Sequence, residues 1–339
     1  MLSQYNSHKI RFFSSFLILL VVYLHSYYLE GEKYPECNYI MNFVGGGICG
    51  LANYMFFLIS GYLFYLNIKN HHDTFVKIKK RCSTLLVPYI LWNLIFILWY
   101  FCLSLIPSVQ ELFVNGSIIS QLEDSSLLEI FYIVFLKPAA FQLWFLRDLM
   151  LFVLLSPLIW WLIKKAGWAL VVVLFGLGMF IPQVGFAAIF VLGGYISLTN
   201  TDLDGLTEQL SRLMPLFVIV FFASAIVYPM HLVYLKPFAS FTYLSGIITV
   251  WCLYDKFCVY RVKWLEPYLG YSFFIYCFHM PFFNIIKKLM LMALGDFKIN
   301  IMLLYFLNPL LTIVIIILIA KAIQKFWPMA YMVLTGSRK

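Results

Sequence analysis

The chain has 339 residues, 63% hydrophobic and 12% charged, with a formal charge of +9 and a mean hydropathy of +0.90. Soluble domains carry about 25% charged residues, so a water-soluble globule is excluded and the bilayer is the solvent that suits this composition. The basic residues collect in loops between apolar runs, which assigns them to a membrane face and gives no nucleic-acid site.

The first apolar run, residues 12–29, follows Lys9 and Arg11. A cleaved leader would end in small residues. His25-Ser26-Tyr27-Tyr28 stand there instead, so the run reads as an uncleaved first helix. Further runs suited to a core of about 30 Å fall near 43–66, 84–106, 142–163, 168–182, 184–198, 214–231, 238–254, 268–290 and 300–320. Pro182-Gln183 suits a tight hairpin between the two short ones. The longest loop, 107–141, carries a moderately apolar piece, Leu127–Leu136, suited to the outer surface.

With the N-terminus inside, the inner segments hold seventeen Lys and Arg and the outer segments six, with Arg147 left within a helix. This positive-inside bias predicts an all-α polytopic membrane protein of ten transmembrane helices with both termini cytoplasmic. It forms one membrane domain over residues 1–339. Of the seven cysteines only Cys37 falls in an outer loop, and no CxxC spacing exists. Neither a metal site nor a disulfide framework is expected.

Ionisable groups inside apolar runs are expensive and need a reason. His25 stands roughly 21 Å along the first helix from Arg11, in the outer half of the core. It is either a histidine satisfied by a neighbouring helix or a general base. Arg147 and Asp148 sit near the outer start of the fourth helix, at the depth of His25, either as a helix-end ion pair or facing one cavity with it. Adjacent helical residues point about 100° apart, which predicts different partners for the two. His279 lies near the centre of the ninth helix, two residues before Pro281, and is either a packing histidine bonded to a neighbouring helix or a site residue. Ser60-Gly61 lies low in the second helix, where small residues usually mean close packing. The run Lys77, Lys79, Lys80, Arg81 is either ordinary loop charge or a phosphate clamp.

Taken in order, these positions resemble the acyltransferase 3 family of integral membrane acyltransferases. Val21-Val22-Tyr23-Leu24-His25-Ser26 matches the family's signature histidine at the end of the first helix. Phe56-Phe57-Leu58-Ile59-Ser60-Gly61-Tyr62-Leu63 is similar to its FFxxSGYL. Lys80-Arg81 precedes Leu85-Leu86-Val87-Pro88-Tyr89 and Trp92. Leu143-Trp144-Phe145-Leu146-Arg147-Asp148-Leu149 leads to Ser156-Pro157-Leu158, and Leu269-Gly270-Tyr271-Ser272-Phe273 leads to Ile275-Tyr276 and His279-Met280-Pro281.

The resemblance implies O-acylation of a surface glycan or its lipid-linked precursor, with acyl-CoA, first of all acetyl-CoA, as co-substrate and no permanently bound cofactor. His25 inherits the catalytic role. Many members carry an arginine eleven positions before this histidine, where this chain has Ser14; Arg11, one turn lower on nearly the same face, takes over donor binding. Lys80, Arg81 and Ser60 complete the expected donor site. Trp144, Arg147, Asp148 and His279 are expected to bind the acceptor or stabilise the oxyanion. The expected setting is the inner (plasma) membrane, and no fused extracellular hydrolase-like domain is expected. A transporter or flippase of a lipid-linked sugar or small solute is the alternative. It would show two related halves, and no internal symmetry is evident.

Overall fold

A computed structural model describes residues 2–106, 132, 136–231, 237–257 and 263–337. The described residues are helical, with no strand among them. In chain order the helices are α1 (Gln4–Leu24), α2 (Pro35–Asn42), α3 (Leu51–Tyr65), α4 (His71–Arg81), α5 (Val87–Ser104), α6 (Trp144–Leu154) and α7 (Ser156–Ala166). Then come α8 (Trp168–Gly178), α9 (Pro182–Leu198), α10 (Leu203–Arg212), α11 (Met214–Val227), α12 (Ala239–Lys256), α13 (Ser272–Leu294), α14 (Lys298–Phe326) and α15 (Pro328–Leu334).

Each of the ten apolar stretches meets a helix. Among the described residues five are long and apolar enough to cross a membrane on their own: Gln4–Leu24, Pro35–Tyr65, His71–Leu103, Pro267–Leu294 and Lys298–Phe326. The number rises to seven when each of two interrupted pairs is taken as one span. The fourth stretch breaks at Leu155. The seventh is preceded by α10, which has an Asp202 N-cap and no buried residue, and meets the next helix at 72°. Such a short, strongly amphipathic helix suits the plane of the interface. The expected surface piece Leu127–Leu136 lies outside the described residues, apart from Tyr132 and Leu136.

The chain divides into two compact units, Met1–Phe75 with Ser156–Ala320, and Val76–Leu155 with Lys321–Lys339. In the first, α3 and α9 meet along glycines. A Cβ on Gly61 would stand 2.0 Å from the Phe190 carbonyl oxygen, and one on Gly193 would stand 2.1 Å from that of Leu58. Of the expected Ser60-Gly61 packing, Gly61 makes this close approach, the kind that holds helices together where hydrophobic force alone does not. Between α2 and α3 the segment Phe43–Cys49 winds as a π-helix. Its Gly47 lies so close to α11 that a Cβ would stand 2.8 Å from the Ala225 carbonyl oxygen.

The cytoplasmic charge expected at Lys9 is instead buried, at 1% exposure. Its Nζ pairs with Asp255 Oδ2 at 2.7 Å and lies 4.0 Å from the Trp251 ring centroid. A buried ammonium needs such partners. They fasten the start of α1 to the end of α12. In the second unit, Trp92 of the LLxPYxxW-like passage donates its indole N–H to the Leu334 carbonyl at 3.0 Å, satisfying a group left orphaned at the end of α15.

Candidate active site

Helix α1 stops sooner than the apolar run suggests. Its last residue is Leu24, and His25 forms the cap with φ −92° and ψ 1°. The His25 N–H still reaches the Val21 carbonyl at 3.3 Å, and the Ser26 N–H turns onto Tyr23 at 3.0 Å. The turn is tethered to α14. Pro309 has no N–H, so the carbonyl of Tyr305 four residues earlier lacks its helical donor. The Ser26 hydroxyl supplies one at 2.9 Å. A proline in one span thus holds the chain immediately after His25.

His25 and His279 come together in the first unit. Their rings lie 5.4 Å apart, centroid to centroid, and are inclined by 26°. His279 is fully buried. Its Nδ1 lies 2.9 Å from the Tyr276 carbonyl oxygen and 3.2 Å from that of Ile275. Carbonyl oxygens only accept, so Nδ1 carries the proton and Nε2 of the neutral ring presents a lone pair. That Nε2 is buried and has no hydrogen-bond partner. The ring therefore offers the site an acceptor, and in this tautomer it cannot donate to an oxyanion.

A polar network ties the residues that follow His25 to α13 and α14. Asn308 Nδ2 donates to the Tyr28 hydroxyl at 3.0 Å and to the Phe283 carbonyl at 3.2 Å, while the Thr312 hydroxyl donates to Asn308 Oδ1 at 3.1 Å. Lys287 Nζ donates to the Tyr27 carbonyl at 3.3 Å and lies 4.5 Å from the Tyr28 ring centroid. The Tyr27 hydroxyl donates to Asn38 Oδ1 at 2.7 Å; burial first, then the Glu32 carboxylate, raises this phenol above its ordinary value. Lys287, counted as outer loop charge, and Asn308 are the members that sequence reasoning missed. The available signal was the polar set Asn308, Pro309 and Thr312 inside an otherwise apolar run.

The remaining expected residues are described each within its own unit. Arg11 is exposed on α1, roughly 21 Å along the helix from His25. Ser14, at the family's arginine position, bonds back to the Ile10 carbonyl at 2.8 Å. Ser60 is half-buried in α3 beside the glycine contact, and Lys80 is exposed at the end of α4. Trp144 opens α6, its ring edge-on to Phe145 at 6.3 Å.

Two expectations for the second unit are corrected. Arg147 and Asp148 are each other's partners: Arg147 Nε and Nη2 both reach Asp148 Oδ1 at 2.7 Å. The long side chains bend back across the 100° that separates their Cβ directions. Arg147 also lines the same cleft as Arg81, about 510 Å³ in volume, where the apolar runs had set the two on opposite faces of the membrane. The fourth stretch is broken at Leu155, so its first half does not follow the depth that a straight helix would give it.

A family model described as "Acyltransferase domain" matches residues 11–323. The "Succinoglycan biosynthesis protein ExoH" of Rhizobium meliloti (strain 1021) is 25% identical over 329 residues, covering 90% of this chain and 84% of the relative. No solved structure matches the chain.

Proposed function

The chain belongs to the acyltransferase domain family, and from that premise we propose that it moves an acyl group, acetyl in the first instance, from cytoplasmic acyl-CoA to a hydroxyl of a surface glycan or its lipid-linked precursor. The setting we propose is the plasma membrane, with both termini cytoplasmic. The observation that carries the reading is the pair of imidazoles at the end of α1. The likeness to a protein named for succinoglycan biosynthesis supports a glycan acceptor.

In this reaction His25 takes the proton from the acceptor hydroxyl as its oxygen attacks the thioester carbonyl. The C–O bond forms, the C–S bond breaks, and the thiolate leaves and is protonated as free coenzyme A. An oxyanion needs donors, which Nε2 of His279 does not supply in the tautomer described. We assign this residue to acceptor positioning, with Nε2 receiving a hydrogen bond from a sugar hydroxyl. Arg11, an exposed cation on α1, is assigned to the phosphates of the donor.

The test is thiol release from acetyl-CoA by the purified protein in liposomes, with and without glycan-bearing lipid extract. Release that depends on the protein and rises with the extract supports the reading. A carrier would move solute and release no thiol, and that result would remove the acyl-CoA assignment.

A further inference from the structure

The cleft in the second unit is a site of a different kind. Its walls are aliphatic, from Leu85, Leu151, Leu154 and neighbours, and among the described residues its charged groups are Arg81, Arg147 and Asp148. Arg147 is engaged: beyond its bonds to Asp148, Nη1 donates to the Leu136 carbonyl at 2.7 Å. Arg81 has no hydrogen bond or ion pair among the described residues, although it is half-buried. The helix widens into a π-turn over Cys82–Leu86 directly after it, a device frequent at functional sites. A guanidinium among hydrocarbon is costly without an anion, and its fork matches phosphate.

We propose that this cleft binds the phosphodiester headgroup of an anionic membrane phospholipid, with Arg81 on the phosphate and the acyl chains along the leucine wall. Charge complementarity selects the occupant. Two guanidiniums and one carboxylate leave a single net positive charge, which suits one phosphodiester. Coenzyme A brings several negative charges and a polar nucleoside to walls that are mostly apolar. Leu151 and Leu154 are 52% and 62% exposed, so a chain leaving the cleft continues over apolar surface. Basic pockets between spans bind lipid headgroups on these principles. The assignment takes Arg81 out of the expected donor site.

Native mass spectrometry of the delipidated protein in neutral detergent tests it, with palmitoyl-oleoyl phosphatidylglycerol compared with the matching phosphatidylcholine. The expected result is one phosphatidylglycerol bound in preference. Arg81→Gln should weaken it about tenfold, the scale of one lost charge-assisted bond. Lys79→Gln, two residues away and exposed, should not. Leu151→Trp, which fills the wall and leaves Arg81 in place, should also weaken it. All variants are compared at unchanged elution volume and melting midpoint. Equal binding by Arg81→Gln, or displacement of the lipid by coenzyme A or by inorganic phosphate, would overturn the proposal. Because the readout is lipid bound and not acyl transferred, its failure leaves the reaction proposed above untouched.

Discussion

The imidazole of His279 lies 5.4 Å from that of His25, with its Nδ1 proton committed to backbone carbonyls and its Nε2 buried without a partner. One histidine comes from the end of the first helix and the other from within α13. A buried acceptor left without a donor costs of order 1–3 kcal/mol, a cost that acceptor binding would relieve.

His279→Gln and His279→Asn separate the two nitrogens. Glutamine returns an amide near Nε2, whereas asparagine returns one near Nδ1. If Nε2 receives a hydrogen bond from the acceptor, Gln should retain more activity than Asn, which should fall about tenfold or more in kcat/KM for the acceptor. Steady-state rates at varied acceptor check the order. Equal loss in both variants contradicts the assignment.

Ser26→Ala removes the donor that answers the Tyr305 carbonyl beside Pro309. The stranded carbonyl should cost about 1–3 kcal/mol, seen as a lower melting midpoint. Because the same bond holds the residue after His25, kcat should fall while the KM for donor changes little. Ser26→Thr, which keeps the hydroxyl, should recover most of both.

Much of this was legible beforehand, and the reasons differ by residue. His25 and His279 stood out because imidazoles are expensive in apolar runs. Their contact did not, because the first run stays apolar to Leu29 while the helix ends at Leu24. The turn after it is tethered to a carbonyl beside a proline nearly three hundred residues away in sequence. Lys9 read as loop charge because Asp255 and Trp251, which enclose it, are equally remote. The separation expected of Arg147 and Asp148 followed Cβ directions alone, which long side chains do not obey.

Lys9→Met should show that the buried pair is structural. Asp255 would keep its charge at the end of α12 with its ammonium partner gone, and breaking such a pair costs about 3 kcal/mol. Adding Asp255→Asn should recover part of the melting midpoint. A double variant no better than the single one would contradict the coupling.

Gly61→Ala should fail by crowding. Its Cβ would stand 2.0 Å from the Phe190 carbonyl oxygen, which is backbone and cannot swing aside. A loss of about 1–3 kcal/mol is expected, read as reduced yield and a lower melting midpoint. Ser60→Ala, next to it and outside the contact, should leave the midpoint unchanged.

The most direct measurement is transfer of radiolabel from acetyl-CoA into membrane glycan, in inside-out vesicles carrying either the wild-type protein or His25→Ala at matched amounts. Loss of a general base predicts a rate lower by about 10²–10⁴-fold, with donor affinity unchanged because Arg11, assigned to the donor, stands roughly 21 Å along α1 from His25. Label incorporated by His25→Ala at close to the wild-type rate would contradict the account at its centre.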